Sequence, residues 1–195
     1  MKSDLFQNLP RIETARLLLR PFTLDDAADV FEYARDDAVT RYMSWPTHQS
    51  IADALDYLTQ VLRRYGQNSP APWGIVLRAS HKLIGGAGFV TIDEKDFRAE
   101  IGYVLSQRYW GQGYATEAAR AIIEFAVNDL GINRVEAMCE VANGASARVM
   151  EKAGMSYEGI LRQYSLAKGT FRDMKIYSIL KSEWARVGEA KGQRK

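Results

Sequence analysis

The segment with the clearest chemical potential covers residues 108–115, which read Arg-Tyr-Trp-Gly-Gln-Gly-Tyr-Ala. Gly111 and Gly113 stand at alternate positions, and because they lack a Cβ atom the main chain can approach a ligand closely. The strongest helical pattern of the chain begins at Tyr114, and a helix N-terminus offers unpaired N–H groups and the positive end of the helix dipole. Both features favour an anion, so the segment predicts a diphosphate-binding loop.

Two common nucleotide-binding motifs do not fit this loop. A P-loop requires Gly-Lys-Ser or Gly-Lys-Thr, and neither occurs in the chain. The dinucleotide fingerprint requires a third glycine where Thr116 stands, although Glu136 and Glu140 follow at the distance of a ribose-binding acid. A Rossmann-type site and a glycine loop that serves only as a tight connection remain as alternatives.

Composition and charge narrow the class of protein. A length of 195 residues suits one domain, and 47% hydrophobic with 26% charged residues are ordinary values for a globular protein. The formal net charge of +2 arises from the C-terminal tail, where residues 186–195 hold four bases and one acid. We therefore expect no nucleic-acid surface, and a single domain over residues 1–195 with its core at about 11–184 and a frayed basic tail at 185–195.

Cysteine, histidine and hydropathy patterns exclude further classes. The single Cys139 excludes an internal disulfide or a cysteine-based zinc cluster, and His48 and His81 lack the spacing of metal ligands. No apolar run reaches the roughly 20 residues of a membrane-spanning helix, and the N-terminus lacks the apolar core of a signal peptide. We expect a cytoplasmic protein, a monomer or homodimer, that binds no metal, membrane or nucleic acid.

The elements that position the glycine loop follow from hydrophobic periodicity and turn residues. The pattern predicts seven strands, at 16–22, 73–77, 82–92, 98–106, 134–141, 156–166 and 171–180, and four helices, at 24–35, 51–66, 114–130 and 143–154. The strand–helix–strand unit at 98–141 implies one parallel pair formed by a crossover. This order predicts an α+β domain with a mixed, mostly antiparallel sheet, because a doubly wound fold needs regular alternation.

The chain resembles the GNAT superfamily of N-acetyltransferases, and the branch that includes the ribosomal-protein alanine N-acetyltransferases in particular. Its glycine loop looks like the acetyl-CoA motif of that family, in which Arg-x-x-Gly-x-Gly is followed by Tyr-Ala at 108–115. Four further segments match in order and spacing, from about residue 11 to 184. They are Thr-Ala-Arg-Leu-Leu-Leu-Arg-Pro at 14–21, Glu-Ile-Gly-Tyr-Val-Leu at 100–105, Asn-x-x-Ser at 143–146 and Glu-Lys-x-Gly-Met at 151–155.

The resemblance implies acetyl-CoA as co-substrate and a GNAT-like sheet of about seven strands, splayed at strands 4 and 5 and flanked by about four helices. In this family the pantetheine arm lies in the opening between those strands, and loop N–H groups hold the diphosphate. The cofactor-binding residues implied in this way are Tyr103, Val104, Leu105, Arg108, Gly111, Gln112, Gly113, Tyr114, Ala115, Thr116, Asn143 and Ser146. Asn143 could also serve only as the cap of the helix that follows, and the two roles are compatible.

The implied reaction is direct transfer of an acetyl group to an amine, which requires a base for the amine proton. Glu100 is the candidate base, because strand alternation places it on one face with Gly102 and Val104. The alternative is a surface glutamate that pairs with a base such as Arg98.

The leaving thiolate can require an acid, and here the chain departs from the family. Many GNAT enzymes place a tyrosine seven residues after the asparagine, where this sequence has Met150. Ser146 is the candidate acid instead, since its hydroxyl lies one turn after Asn143. Tyr103 and Tyr157 are weaker candidates, because an aromatic residue on a strand is more often part of the core.

The acceptor implied by the resemblance is a protein or peptide α-amine. A small-molecule amine (a polyamine, an aminoglycoside or an amino acid) is the alternative, and a non-catalytic CoA-binding sensor is a third. Tyr42, Met43 and Trp45 are candidate walls of an acceptor pocket. The acidic residues of 25–37 could attract a cationic amine or form a solvated helix face, and Asp173 could meet the amine or pair with a neighbouring base.

Overall fold

A computed structural model of the protein describes residues 4–185. From residue 186 onward, the tail predicted to fray lies outside the described residues. The strands are β1 (Ile12–Glu13), β2 (Leu17–Arg20), β3 (Pro72–Leu77), β4 (Leu83–Asp93), β5 (Arg98–Leu105), β6 (Arg134–Glu140), β7 (Ser156–Ala167) and β8 (Thr170–Leu180). The α-helices are α1 (Ala27–Ala34), α2 (Asp37–Thr40), α3 (Ile51–Gly66), α4 (Tyr114–Asn128) and α5 (Gly144–Ala153).

One mixed sheet of eight strands, in the order β1-β2-β3-β4-β5-β6-β8-β7, forms the centre of the fold. The pair β5–β6 is parallel and the other neighbours are antiparallel, which confirms the predicted α+β class and mixed sheet. The described residues hold eight strands rather than about seven, and a short helical segment at 181–185 in addition to α1–α5, rather than about four helices. The missed elements are β1, α2 and the segment at 181–185, which have two, four and five residues and are too short to show a periodic pattern.

Helices cover both faces of the sheet. Trp73 of β3 contacts Phe125 of α4, with ring centroids 5.7 Å apart. Its neighbour Gly74 faces Phe22, which in turn contacts Tyr57 of α3. Because successive strand residues point to opposite faces, α4 and α3 lie on opposite sides of the sheet. The helix α1 packs on α3, and α5 packs beside α4.

The parallel pair β5–β6 is hydrogen-bonded over only its first part. Residues face each other at three positions, Arg98–Arg134, Ala99–Val135 and Glu100–Glu136. Beyond these, β5 continues against β4 to Leu105 while β6 continues against β8 to Glu140. The two strands therefore separate. Because β5 and β6 are the fourth and fifth of the strands predicted from the sequence, the predicted splay is confirmed. We call the space between them the β5–β6 opening.

The strand β4 approaches β5 very closely on the other side. A Cβ atom at Gly85 would lie 2.2 Å from the Val104 carbonyl oxygen, so no other residue fits there without a shift of the strands. The register between β4 and β5 also shifts between Phe89 and Thr91, which is a β-bulge. Among the described residues, no helix has the length and apolar character needed to cross a membrane.

Candidate active site

The main chain of β5 presents only some of its groups to the β5–β6 opening. The Ser106 N–H donates to the Ile84 carbonyl, and the Val104 carbonyl faces Gly85, so both residues are directed to β4. Because alternate strand residues direct their main-chain groups to opposite sides, Tyr103 and Leu105 face the opening. The prediction that Val104 offers main-chain groups there is therefore wrong.

The carbonyl of Leu105 already has a partner. It accepts a hydrogen bond of 2.7 Å from the indole N–H of Trp110, at the start of the glycine loop. What remains for a ligand in the opening is the N–H of Leu105 together with both main-chain groups of Tyr103. These groups could bind an extended arm much as a neighbouring strand would.

The glycine loop has the backbone that its sequence predicts. Gly111 and Gly113 have φ angles of +74° and +83°, a left-handed conformation that costs other residues roughly 1–2 kcal/mol. Gly113 is the N-cap residue of α4, and a Cβ atom at Gly111 would meet no heavy atom within 4 Å. Among the described residues, the N–H groups of 111–116 have no hydrogen-bond acceptor, and the first to donate to a loop carbonyl is that of Glu117.

An ion pair that sequence reasoning missed supports this loop. The Arg16 Nε donates to the Glu117 carboxylate over 2.7 Å, and its Nη1 donates to the Gln112 carbonyl over 3.0 Å. The guanidinium also lies over the Tyr114 ring, 4.3 Å from its centroid. Thr14 completes the arrangement, because its hydroxyl donates to Glu117 over 2.6 Å. The Thr-Ala-Arg motif at 14–16 was the available signal, but its partners are a hundred residues away.

The contacts of Glu117 favour its ionised form. Burial acts to raise the pKa of Glu117, but hydrogen bonds from Thr14 and Arg16 outweigh it and lower the pKa. Arg108 differs from Arg16, since its side chain is exposed and its Nη1 lies 4.0 Å from Glu32. The Arg108 carbonyl accepts from the Gln112 side-chain amide over 3.1 Å, which closes the loop on itself.

A hydroxyl pair lies on the α5 side of the opening. Asn143 caps α5, because its Oδ1 accepts from the Ser146 N–H over 3.1 Å. The Ser146 hydroxyl lies 2.9 Å from the Tyr103 hydroxyl, and the latter also donates to the Ser146 carbonyl over 3.1 Å. Burial raises the pKa of Tyr103 well above its ordinary value, although the Ser146 hydrogen bond acts in the opposite direction. The structure thus places Tyr103 and Ser146 together.

Met150, which stands where the family usually has tyrosine, is fully buried in the core. Cys139 is also buried, and burial raises the pKa of its thiol. The Met150 thioether carries no ionisable proton, whereas the Cys139 thiol is hydrogen-bonded to Ser146 and so adjoins the hydroxyl pair of Tyr103 and Ser146.

Glu100 lies at the last paired position of β5 and β6, directly beside Glu136. Tyr103 faces α5, so alternation places Glu100 on the opposite face, the one that α1 and α3 cover. Burial raises the pKa of Glu100, the charge of Glu136 raises it further, and Arg98 acts weakly in the opposite direction. The Arg98 guanidinium lies 3.5 Å from Asp93 and 4.0 Å from Glu136, so its described ion pairs are with those residues rather than with Glu100.

Glu136 pairs with a cation. Its carboxylate accepts from Arg134 Nε over 2.5 Å, and the same guanidinium binds Glu158 and donates to the Ser178 hydroxyl over 3.1 Å. Hydrogen bonds from Arg134 and Ser178 lower the pKa of Glu158 to about 2. The carboxyl group beside Glu100 therefore belongs to an ion-pair network that joins β6, β7 and β8.

On the acceptor side, α2 and the segment after it cross toward the site. The Tyr42 hydroxyl donates to the Ala142 carbonyl over 3.5 Å, and Lys168 donates to the Thr40 carbonyl over 2.8 Å. These contacts connect α2 with the β6–α5 loop and with the tip of the β7–β8 hairpin. Trp45 is half-buried and lies 5.4 Å from the His48 ring.

Most of the acidic residues near α1 have structural partners. They therefore do not form a free charged face, either for a cationic amine or toward solvent. Asp26 binds Arg20 in a buried pair, and Asp29 and Glu32 both bind Lys82. Asp36 caps α2. On the last hairpin, the Asp173 carboxylate accepts from the Gln163 N–H over 2.7 Å, so it stabilises the irregular part of β7 where the register shifts between Leu161 and Ser165.

The opened parallel pair and the helix-terminal glycine loop define the class as transferases that use an acyl-CoA. A family model described as an acetyltransferase (GNAT) domain matches residues 16–156. The chain therefore belongs to the GNAT family and is an acetyl-CoA-dependent N-acetyltransferase. In the described residues, no cluster of three or more His, Cys, Asp or Glu could hold a metal ion.

Known proteins are similar over most of the chain. "Uncharacterized N-acetyltransferase YoaA" of Bacillus subtilis (strain 168) is 37% identical over 172 residues, 88% of this chain and 97% of that protein. "Putative ribosomal N-acetyltransferase YdaF" of the same organism is 33% identical over 122 residues, 63% of this chain and 66% of that protein. The crystal structure of a GCN5-related N-acetyltransferase from Brucella melitensis superimposes with a TM-score of 0.82 at 26% identity, covering 93% of this chain and 83% of that one.

Proposed function

We propose that this N-acetyltransferase modifies the N-terminal α-amine of a protein or peptide, with Glu100 as the base and Ser146 as the acid. The observation that carries the assignment is their placement on either side of the β5–β6 opening. Glu100 lies on the face covered by α1 and α3, and Ser146 lies with Tyr103 on the α5 face. A thioester in the opening lies between a proton acceptor and a proton donor.

The cofactor is oriented by the loop and by β5. Free N–H groups of residues 111–116 and the N-terminus of α4 bind the diphosphate. The main chain of Tyr103 and the N–H of Leu105 bind the pantetheine amides. Asn143 contributes by holding the first turn of α5, so that the Ser146 hydroxyl faces the thioester sulfur.

The carboxyl group of Glu100 and the hydroxyl groups of Ser146 and Tyr103 carry out the proton transfers. The bound acetyl-CoA supplies the acyl group that the amine attacks. Glu100 takes the amine proton, and its raised pKa makes it a stronger base than an exposed glutamate. Ser146 donates its hydroxyl proton toward the departing thiolate and is reprotonated by Tyr103, whose hydroxyl lies 2.9 Å away. Tyr103 then regains a proton from solvent, and Glu100 releases the amine proton to solvent.

A macromolecular acceptor is supported by the surface beside the site. Lys168, at the tip of the β7–β8 hairpin, contacts α2, and the same hairpin exposes the large apolar side chains of Tyr164, Leu166 and Phe171. Isolated apolar residues are common on surfaces, but a group on one hairpin is typical of a protein contact. The name of the Bacillus relative at 33% identity, a ribosomal N-acetyltransferase, points in the same direction.

A thiol-release assay tests the proposal. Purified protein is given acetyl-CoA and either peptides with varied N-termini, the same peptides with blocked N-termini, polyamines or aminoglycosides. We expect release with free peptides only, and a rate for Glu100→Gln lowered about a hundredfold with little change in CoA affinity. Thiol release with small amines alone would mean that the acceptor is a small molecule rather than a protein or peptide. An unchanged rate for Glu100→Gln would remove Glu100 from the mechanism. CoA binding without any thiol release would indicate a sensor.

A further inference from the structure

We propose that Arg16 is a positioning residue for the diphosphate loop. It binds the loop on the side opposite the free N–H groups and does not contact the diphosphate. The inference rests on the proposed role of the loop in CoA binding. Arg16 belongs to the link between β1 and β2, whereas the loop precedes α4, so the support comes from a distant part of the chain.

The first step of the argument is the direction of one peptide group. Arg16 Nη1 acts only as a hydrogen-bond donor, and it donates to the Gln112 carbonyl over 3.0 Å. In a planar trans peptide the carbonyl and the following N–H point in opposite directions. The N–H of Gly113 therefore points away from Arg16, toward the side on which the loop and helix N–H groups are free. By holding one carbonyl, Arg16 fixes the orientation of an anion-binding donor.

The second step concerns charge at the helix N-terminus. Glu117 lies in the first turn of α4, where a free carboxylate would compete with a bound diphosphate for the N–H groups. Its oxygens are instead engaged by the Thr14 hydroxyl and by the main-chain N–H and Nε of Arg16, at 2.6, 2.9 and 2.7 Å. The cation of Arg16 also offsets the charge of Glu117, so the loop presents donors with little opposing potential.

The third step concerns the planar, forked shape of the Arg16 guanidinium, which allows several contacts at once. Arg16 binds the Gln112 carbonyl and the Glu117 carboxylate at once, and its guanidinium plane lies on the Tyr114 ring. A lysine has one point charge and no plane, so it cannot make these three contacts together. The proposal therefore predicts that Arg16→Lys fails nearly as badly as Arg16→Met.

The experiment measures binding of CoA and of pantetheine, which lacks the diphosphate, by calorimetry on the full chain. Arg16→Met and Arg16→Lys should each weaken CoA binding about tenfold or more, as expected for loss of charged hydrogen bonds, and leave pantetheine binding unchanged. Arg78→Met is the matched control. Arg78 is similarly exposed and donates to the Thr14 carbonyl over 2.7 Å, but no hydrogen bond or ion pair among the described residues joins it to the loop. It should bind both ligands like the wild type.

The outcomes separate the two hypotheses. Wild-type protein that binds CoA no better than pantetheine would refute the diphosphate loop itself. A wild type that prefers CoA, with Arg16→Met equal to it, would refute the role of Arg16 alone. Full affinity of Arg16→Lys would mean that charge rather than positioning matters, and equal loss for both ligands would mean general destabilisation; either result overturns the proposal. Unfolding midpoints of the free proteins show which variants remain folded.

Discussion

At the scale of single residues, the pairing of Glu100 with Glu136 should determine how the proposed site responds to pH. Two like charges at directly opposite strand positions disfavour ionisation of one of them. Arg134 hydrogen-bonds Glu136, whereas burial and then the charge of Glu136 raise the pKa of Glu100. Glu136 thereby connects the proposed base Glu100 with the ion-pair network of β6, β7 and β8.

This link gives a pH prediction. A base works when ionised, so the rate rises with pH as Glu100 loses its proton. In Glu136→Gln the neighbouring charge is gone, so the pKa of Glu100 should fall and the rising part of the rate profile should move to lower pH. Glu140→Gln is the control, because Glu140 lies four residues further along β6 and its described ion pair is with Arg172. Identical profiles for wild type and Glu136→Gln would contradict the coupling.

At the scale of elements, the start of α5 joins stability to chemistry. Asn143 caps the helix through the Ser146 N–H, and Ser146 is the proposed acid. Asn143→Ala should cost about 1 kcal/mol in the free energy of unfolding and should also reduce kcat, since the first turn loosens. Urea denaturation and steady-state rates provide the two measurements.

A helix outside the proposed site supplies the comparison for this prediction. Ser50 is the N-cap residue of α3, which contributes no proposed site residue. Ser50→Ala should lose a similar amount of stability and keep its kcat. If the two variants have equal rates, the position of α5 does not control the chemistry.

Local elements could be predicted from the sequence because their signals are local. The glycines of the loop, the alternation of β5 and the apolar stripe of α4 each depend on neighbours within a few residues. The contacts of Arg16 with Glu117, and of Arg134 with Glu158, join residues far apart in the chain and follow no periodic pattern. The direction of the Val104 main chain depends on which groups pair with β4, and side-chain alternation alone does not reveal it.

At the scale of the whole molecule, ligand binding should stabilise the fold, because the loop, β5 and α5 belong to one sheet-and-helix body. Free CoA at about a hundred times its dissociation constant adds about 2.7 kcal/mol, which raises the unfolding midpoint by roughly 5–10 °C in a domain of this size. A thermal melt with and without CoA measures this shift.

A pair of glycine variants tests whether the shift depends on the loop. Gly111→Asp places a negative charge where the diphosphate is expected, and should abolish the shift. Gly131→Asp makes the same change at a φ of +69° beyond the end of α4, again with no atom within 4 Å of the new Cβ, and should keep it. An equal CoA-induced shift in both variants would mean that the diphosphate binds elsewhere.

The end of pairing between β5 and β6 at Glu100 has one further consequence. Strand side chains alternate with a period of two, so inserting a single residue between positions 98 and 100 would turn Glu100 toward α4 and α5. The same insertion would also turn Tyr103 and Leu105, whose main-chain groups face the β5–β6 opening, whereas the glycine loop lies beyond the strand. Such an insertion should therefore weaken the proposed base and the proposed pantetheine contacts together, because a single strand register positions both.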